Sequence, residues 1–386
     1  MAKEFIPFHK PFMDETEINE VVDTIRSGWW TTGPKVIKFE KEFNSYIGSG
    51  FSIAVSSWTA AAHLALEAIG LNNGDEVIVP AITFTATAEI ICYFGAKPVI
   101  VDVQRDTFNI DPEQIEKSIT PKTKAIIPVH YGGQPCDMDE ILAIASKYNL
   151  TVIEDAAHAL PALYKGKKIG TIGEVTCFSF YATKTLATGE GGMICTNNSQ
   201  IARRTSIMRL HGINSDAWKR YTSEGSWYYE VVAPGYKYNF TDIQASLGLA
   251  QLHKVDLMHK MRNEIYNKYN DGFRNNEFLY LYNVKPDRQS ALHLYPVLIN
   301  IDRLKITRAE FINEIKSSDI GVSVHFIPLY RQPYYRNTFN LSDKNFPVSE
   351  FIYQRVISLP IWPGMTNSQI DKVIEVINRL LKKFAK

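Results

Sequence analysis

Between Phe51 and Thr196 the chain repeats one pattern, a short apolar run and then a helical stretch. "FSIAV" (51–55) precedes "TAAAHLALEAIG", and "EVIVP" (76–80) precedes "TATAEIICYFG". "PVIVDV" (98–103) precedes "DPEQIEKSI", and "KAIIPVH" (124–130) precedes "DMDEILAIASKYN". "TVIED" (151–155) then leads to "VTCFSF" and "GGMICT". Strands that are apolar throughout must be covered on both faces, and helices between them make parallel crossovers. The expected fold class is therefore α/β, a mostly parallel central sheet covered by helices. Ligands of such sheets bind beyond the carboxyl ends of the strands. Asp137 and Glu140 are expected to act as N-cap and reciprocal partner of the fourth helix.

The character changes near Thr241. "TDIQASLGLAQLHKVDLMHKMRNEIYNKY" reads as one long helix opened by a Thr-x-x-Gln capping box. "LHLYPVLIN", "IGVSVHFIP" and an amphipathic helix from about Thr366 follow. Residues 1–255 are expected to form a large α/β domain with an N-terminal segment, and residues 256–386 a smaller α+β domain.

Composition excludes several classes. A net charge of +1 gives no electrostatic case for nucleic acid or a membrane surface. No apolar run approaches the length of a membrane span, and the N-terminus lacks a signal pattern. Cys92, Cys136, Cys177 and Cys195 lack metal-like or CxxC spacing, so reduced thiols of a cytoplasmic protein are expected. The histidines show no metal-ligand spacing either, so no metal is expected. Gly189–Gly192 lacks the GxGxxG spacing and the following helix of a dinucleotide site, and no GxxxxGK[ST], HExxH or GxSxG occurs.

Chemistry-bearing residues collect at the strand ends. Asp155 follows one strand with His158 three residues on; Ser179 and Lys184 follow a later one. Ser56, Ser57 and Thr59 stand at a strand-to-helix turn, where free amides and the helix dipole favour an anion. Singly, these read as a solvated lysine, a helix-capping aspartate, a packed histidine and an N-cap cluster. Together they match pyridoxal phosphate. The lysine serves the aldehyde, the aspartate the pyridine nitrogen, and the helix start the phosphate.

At this point the chain resembles the DegT-type nucleotide-sugar aminotransferases, fold-type I pyridoxal-phosphate enzymes. The likeness runs nearly end to end, through "SGWWTTGPKVIKFE", "AVSSWTAAAHLAL", "GDEVIVPAITFTATA", "KAIIPVHYGGQPCDMD", "VIEDAAHA", "FSFYATKTLATGEGGMI", "RLHGI", "GYKYNFTDIQAS", "VHFIPLY" and "SLPIWPGMT". The resemblance implies Lys184 as the Schiff-base lysine, Asp155 as the pyridine-nitrogen partner and His158 near the 3-hydroxyl. It implies Ser57, the Trp58 backbone, Thr59 and Ser179 at the phosphate, and Phe84 stacked on the ring. Asn239 is implied to reach the phosphate of the other subunit in a homodimer with shared sites. Trp30, Thr32, Lys35 and His325 are implied around the nucleotide sugar. Two positions depart from the pattern. Trp58 stands where a small residue is usual, so its indole must point away from the phosphate or reshape the rim. Phe84 stands where some relatives carry Trp.

The resemblance implies transfer of an amino group from L-glutamate, released as 2-oxoglutarate, to a keto sugar on a nucleotide diphosphate. Members that aminate C4 of UDP-linked sugars for cell-surface polysaccharide or lipopolysaccharide synthesis look nearest. The alternatives are a 3-aminotransferase on a dTDP-linked 3-keto sugar, a lyase or dehydratase of the same fold, and a non-catalytic sugar-binding protein. Retention of Lys184 disfavours the dehydratase, and the full Lys–Asp–Ser set disfavours the binding protein.

Overall fold

A computed structural model describes residues 5–214 and 228–386. The apolar runs form β1 (Phe51–Val55), β2 (Glu76–Pro80), β3 (Lys97–Val101), β4 (Thr123–Ile126) and β5 (Thr151–Asp155). Short β6 (Leu163–Tyr164) and β7 (Lys167–Lys168) come next, then β8 (Val175–Ser179) and β9 (Gly192–Thr196). The main sheet has seven strands in the order β1-β9-β8-β5-β4-β2-β3. Only β9 runs against the others.

Helices α1 (Glu15–Ser27) and α2 (Pro34–Ile47) precede the sheet. The crossovers are α3 (Trp58–Ala68), α4 (Ala86–Cys92), α5 (Pro112–Lys117) and α6 (Met138–Tyr148), and α7 (Ser199–Met208) follows β9. The strands alternate between two cores, as the pleat requires. Val152 and Phe178 join one core, Ile153 and Cys177 the other. In the first, Phe39 and Phe43 of α2 meet Phe180 edge-on at 5.5 Å. This packing fixes the end of β8 from which the Lys184 loop departs.

Two local expectations are corrected. Asp137 is the N-cap of α6, but its side chain makes no capping bond. Its carboxylate is drawn to Arg288 at 2.8 Å and Lys285 at 2.9 Å instead. The long helical pattern after Thr241 breaks into α8 (Asp242–Leu252) and α9 (Val255–Phe273). Lys254 at the break sends its ammonium to Glu17 at 2.6 Å and Asp14 at 3.0 Å. The capping box at Thr241 and Gln244 forms as expected.

The C-terminal part holds β10 (Leu279–Leu281), β11 (Arg288–Gln289), β12 (Tyr295–Ile299) and β13 (Val356–Leu359). β10, β12 and β13 form an antiparallel sheet, while β11 pairs with β6. The helix Asn367–Lys383 covers that sheet with Ile370, Val373, Ile377 and Leu381, and Thr366 caps it. A bridge between Ser323 and Ser358 holds the approach to His325. The N-terminal strap is held by an Ile6–Ile320 bridge and by the Trp362 indole, which donates to the Pro7 carbonyl at 3.1 Å. Among the described residues, no helix is long and apolar enough to cross a membrane.

Candidate active site

The carboxyl ends of β1, β5 and β8 lie abreast. Val55 and Ser179 each pair with Gly192, and Asp155 pairs with Cys177. A cavity of about 640 Å³ opens beyond them. It is lined by Ser57, Trp58, Thr59, Phe84, Asp155, His158, Ser179, Lys184 and His325, which the sequence places at scattered positions.

One end of the cavity is the start of α3. The Ser57 hydroxyl accepts from the Ala60 N–H at 3.0 Å, and Ser57, Trp58 and Thr59 at the helix start, where backbone N–H groups lack intrahelical partners, line the cavity. A Cβ at Gly192 would lie 2.5 Å from the Ser57 carbonyl oxygen, so only glycine lets β9 rest against this turn. The Trp58 side chain turns into the core and donates from Nε1 to the Cys177 carbonyl at 3.0 Å. The indole therefore braces the turn from behind and leaves the anion side to backbone and hydroxyls.

Asp155 is 4% exposed. Its Oδ2 accepts from the Thr87 hydroxyl at 2.9 Å and its Oδ1 from the Ala157 N–H at 3.1 Å. Burial raises its carboxyl to about 6, against the lowering effect of those bonds and of Lys184. A buried carboxylate with no ion pair among the described residues suits a cationic ring nitrogen.

His158 has a fixed tautomer. The Gly132 N–H donates to its Nδ1 at 3.3 Å, so the neutral ring carries its proton on Nε2. Burial, then Lys184 and His325, hold the ring neutral. Lys184 follows β8 in a turn closed by its own N–H donating to the Tyr181 carbonyl at 2.8 Å. His9 of the strap reaches the Ala182 carbonyl in the same turn at 3.1 Å. Burial lowers the Lys184 amine to about 8, while Asp155 opposes the shift. Phe84 is 60% exposed at the mouth, with its ring 6.1 Å from that of Phe326. The His325 Nδ1 lies 2.9 Å from the Ser358 hydroxyl, and its ring stacks on Phe8 at 5.5 Å.

The donor set fits pyridoxal phosphate. Hydroxyls and helix-start amides suit its phosphate, Asp155 its ring nitrogen and the His158 Nε2–H its phenolic oxygen. Lys184 offers a partly neutral amine to its aldehyde. A model of one protein family matches residues 11–378. The chain belongs to the DegT/DnrJ/EryC1/StrS aminotransferase family. It is 47% identical to the spore coat polysaccharide biosynthesis protein SpsC of Bacillus subtilis, over 98% of this chain and 97% of SpsC. Spr1654 of Streptococcus pneumoniae, in its PMP form, superposes with a TM-score of 0.91 at 36% identity, covering 98% of this chain and 99% of Spr1654. Helicobacter pylori PseC, an aminotransferase involved in pseudoaminic acid biosynthesis, gives a TM-score of 0.91 at 26% identity, covering 99% of this chain and 100% of PseC. The chain is thus a fold-type I aminotransferase with pyridoxal phosphate as cofactor.

Four expected site residues stand apart from this cavity. Asn239 donates to the Thr32 hydroxyl at 2.8 Å, beside the end of β1. Thr32 in turn donates to the Phe240 carbonyl at 2.6 Å. Trp30 is 57% exposed. Lys35 is held by Glu20 at 2.7 Å and Asp23 at 2.8 Å, which already neutralise its charge. Sequence reasoning missed Thr87, whose pairing with Thr83 at 2.7 Å orients its hydroxyl toward Asp155. Two threonines four apart at the start of an apolar helix were the available signal. His293 and Phe326 were missed as well, although both line the cavity.

Proposed function

We propose that this aminotransferase moves an amino group from L-glutamate to a keto sugar carried on a nucleotide diphosphate, at C4 of a UDP-linked sugar. The product would serve cell-surface polysaccharide or lipopolysaccharide synthesis, in the cytoplasm. The observation that carries the catalytic part is one cavity holding Lys184, with its amine lowered to about 8, beside the buried Asp155. Support for the sugar comes from the near end-to-end motif likeness and from the polysaccharide role of SpsC.

Bound there, pyridoxal phosphate supplies an aldehyde that accepts the amino group and a ring that takes up electron density as the adjacent C–H bond breaks. Lys184 takes and returns that proton at its Nζ. Asp155 holds a proton on the ring nitrogen. The His158 Nε2–H would donate to the phenolic oxygen, and Phe84 would pack against the ring. Ser57, the Trp58 amide, Thr59 and Ser179 receive the phosphate. His325 faces the sugar side. The enzyme works as a homodimer in which Asn239, Thr32, Trp30 and Lys35 complete the partner's site. Their position outside the chain's own cavity and the exposure of Trp30 support this. Lys35 would contribute through its stem and backbone, because Glu20 and Asp23 hold its charge.

Incubation with pyridoxal phosphate, L-glutamate and a panel of UDP-, dTDP- and GDP-linked keto sugars tests the substrate. A UDP-4-keto sugar is expected to show the mass change of ketone to amine, with nitrogen on C4 by NMR. Amination of dTDP-3-keto sugars alone would overturn the C4 assignment and leave the aminotransferase standing.

The shared site has its own test. Lys184→Ala and Asn239→Ala homodimers are both expected to be inactive. After proven subunit exchange, the mixture should regain activity, because one site per heterodimer is then intact. No recovery, or a monomeric mass at working concentration, overturns the shared site.

A further inference from the structure

His293 lies between β11 and β12 and lines the cavity, with 6% of its surface open. Its Nδ1 is sealed from solvent without a hydrogen-bond partner. A leucine or phenylalanine here would avoid the cost of that orphaned atom, so the imidazole needs another reason. Its backbone is tied to the site. The His293 N–H donates to the Gly132 carbonyl at 3.0 Å, and the Gly132 N–H is the donor to His158 Nδ1. The His293 and His158 ring centroids lie 4.3 Å apart, tilted by 35°. A proton sealed away from any acceptor costs more than an unused lone pair. Neutral His293 therefore carries its proton on Nε2, which, unlike Nδ1, is not a sealed and unpartnered atom of this cavity-lining residue. Burial keeps the ring neutral, reinforced by His158, Lys184 and Arg262.

The cavity wall is poor in cations. Lys184 is its only lysine or arginine among the described residues. The phosphate turn lies at Ser57–Thr59 and Ser179, away from His293 in the chain. An α-amino acid carries its carboxylate on the same carbon as its amine. An amine brought to Lys184 therefore brings that carboxylate into the same cavity, which His293 also lines.

We propose that His293 is a binding residue for the amino donor, its Nε2–H receiving a carboxylate oxygen. The proposal rests on the assignment of glutamate as donor. The neutral His293 N–H then takes the place of an arginine in holding the donor.

The test uses the holoenzyme with His293→Phe, which fills the space and keeps a ring on His158, and His293→Gln, which keeps an N–H. Glutarate, a dicarboxylate that cannot react, is titrated by calorimetry, and glutamate KM and kcat and the cofactor dissociation constant are measured. His293→Phe is expected to weaken glutarate and raise the glutamate KM about tenfold, the loss of roughly one hydrogen bond to a charged group. The kcat and cofactor affinity should stay within about threefold, and Gln should recover most of the loss. Glutarate affinity within about twofold of wild type in a folded, loaded His293→Phe enzyme would overturn the proposal. So would a cofactor loss as large as the glutarate loss, which would make His293 a support for His158 alone. If the wild-type enzyme ignores glutamate but uses another amino acid, the glutamate assignment falls. The same rise in KM for that amino acid would then still support His293.

Discussion

Lys184→Ala is expected to abolish turnover, with kcat falling on the order of 10⁴-fold or more, since on the proposed mechanism one amine is both nucleophile and proton carrier. Turnover is measured at saturating glutamate with any accepted keto sugar. The fold should survive, because alanine removes a charge whose burial is unfavourable and deletes no core packing. Thermal unfolding of the cofactor-free variant should match or exceed wild type. A variant that kept wild-type turnover would overturn the role. The lowered amine adds a pH signature. At about 8, roughly a tenth of Lys184 is neutral at pH 7, against about one part in three thousand for an ordinary lysine. Only the neutral amine attacks an aldehyde. Capture of pyridoxal phosphate by the cofactor-free chain should therefore rise about tenfold per pH unit below 8 and level off above it. A rise continuing to pH 10 would show that the amine is not lowered.

The strand-end residues were legible because the sheet does the placing. Once β1, β5 and β8 are parallel neighbours or one strand removed, Ser57, Asp155 and Lys184 must share an edge. What stayed hidden depends on contacts between distant segments. The Thr87 hydroxyl reaches Asp155 across 68 positions of chain. Gly132 fixes the His158 tautomer through a left-handed turn at φ 62°, which no local pattern announces. Asp137 looked like a capping residue by spacing alone, yet two cations from beyond residue 280 outbid the helix amides. At the break between α8 and α9, Lys254 pairs with Glu17 and Asp14, distant contacts that the apolar periodicity does not announce. Trp58 is the reverse case. An indole in the phosphate turn looked obstructive, but burial of the ring and its bond to Cys177 make it a brace.

Asp155→Asn should separate stability from catalysis. In the cofactor-free chain the buried carboxyl sits at about 6, above the ordinary value of 3.8. Between those values the native state holds the proton more tightly than the unfolded chain, so stability falls as pH rises through the window. The loss is complete above about pH 6 and amounts to about 3 kcal/mol. Asparagine carries no such charge. The cofactor-free variant should therefore melt at or above the wild-type temperature at pH 7.5, and the advantage should vanish near pH 4. Catalysis moves the other way. With a neutral amide at the ring nitrogen, nothing holds a proton there, and the ring loses its capacity to take up electron density. Turnover should fall roughly 10⁴-fold, the scale seen when a buried carboxylate beside a reacting group is neutralised. A twofold loss would mean that Asp155 merely organises the turn at Ala157, and the acid serving the ring would have to lie elsewhere. Lower stability of the variant at pH 7.5 would mean that the bonds from Thr87 and Ala157 outweigh the burial of the charge. Thermal melts at two pH values and one rate measurement decide between these outcomes.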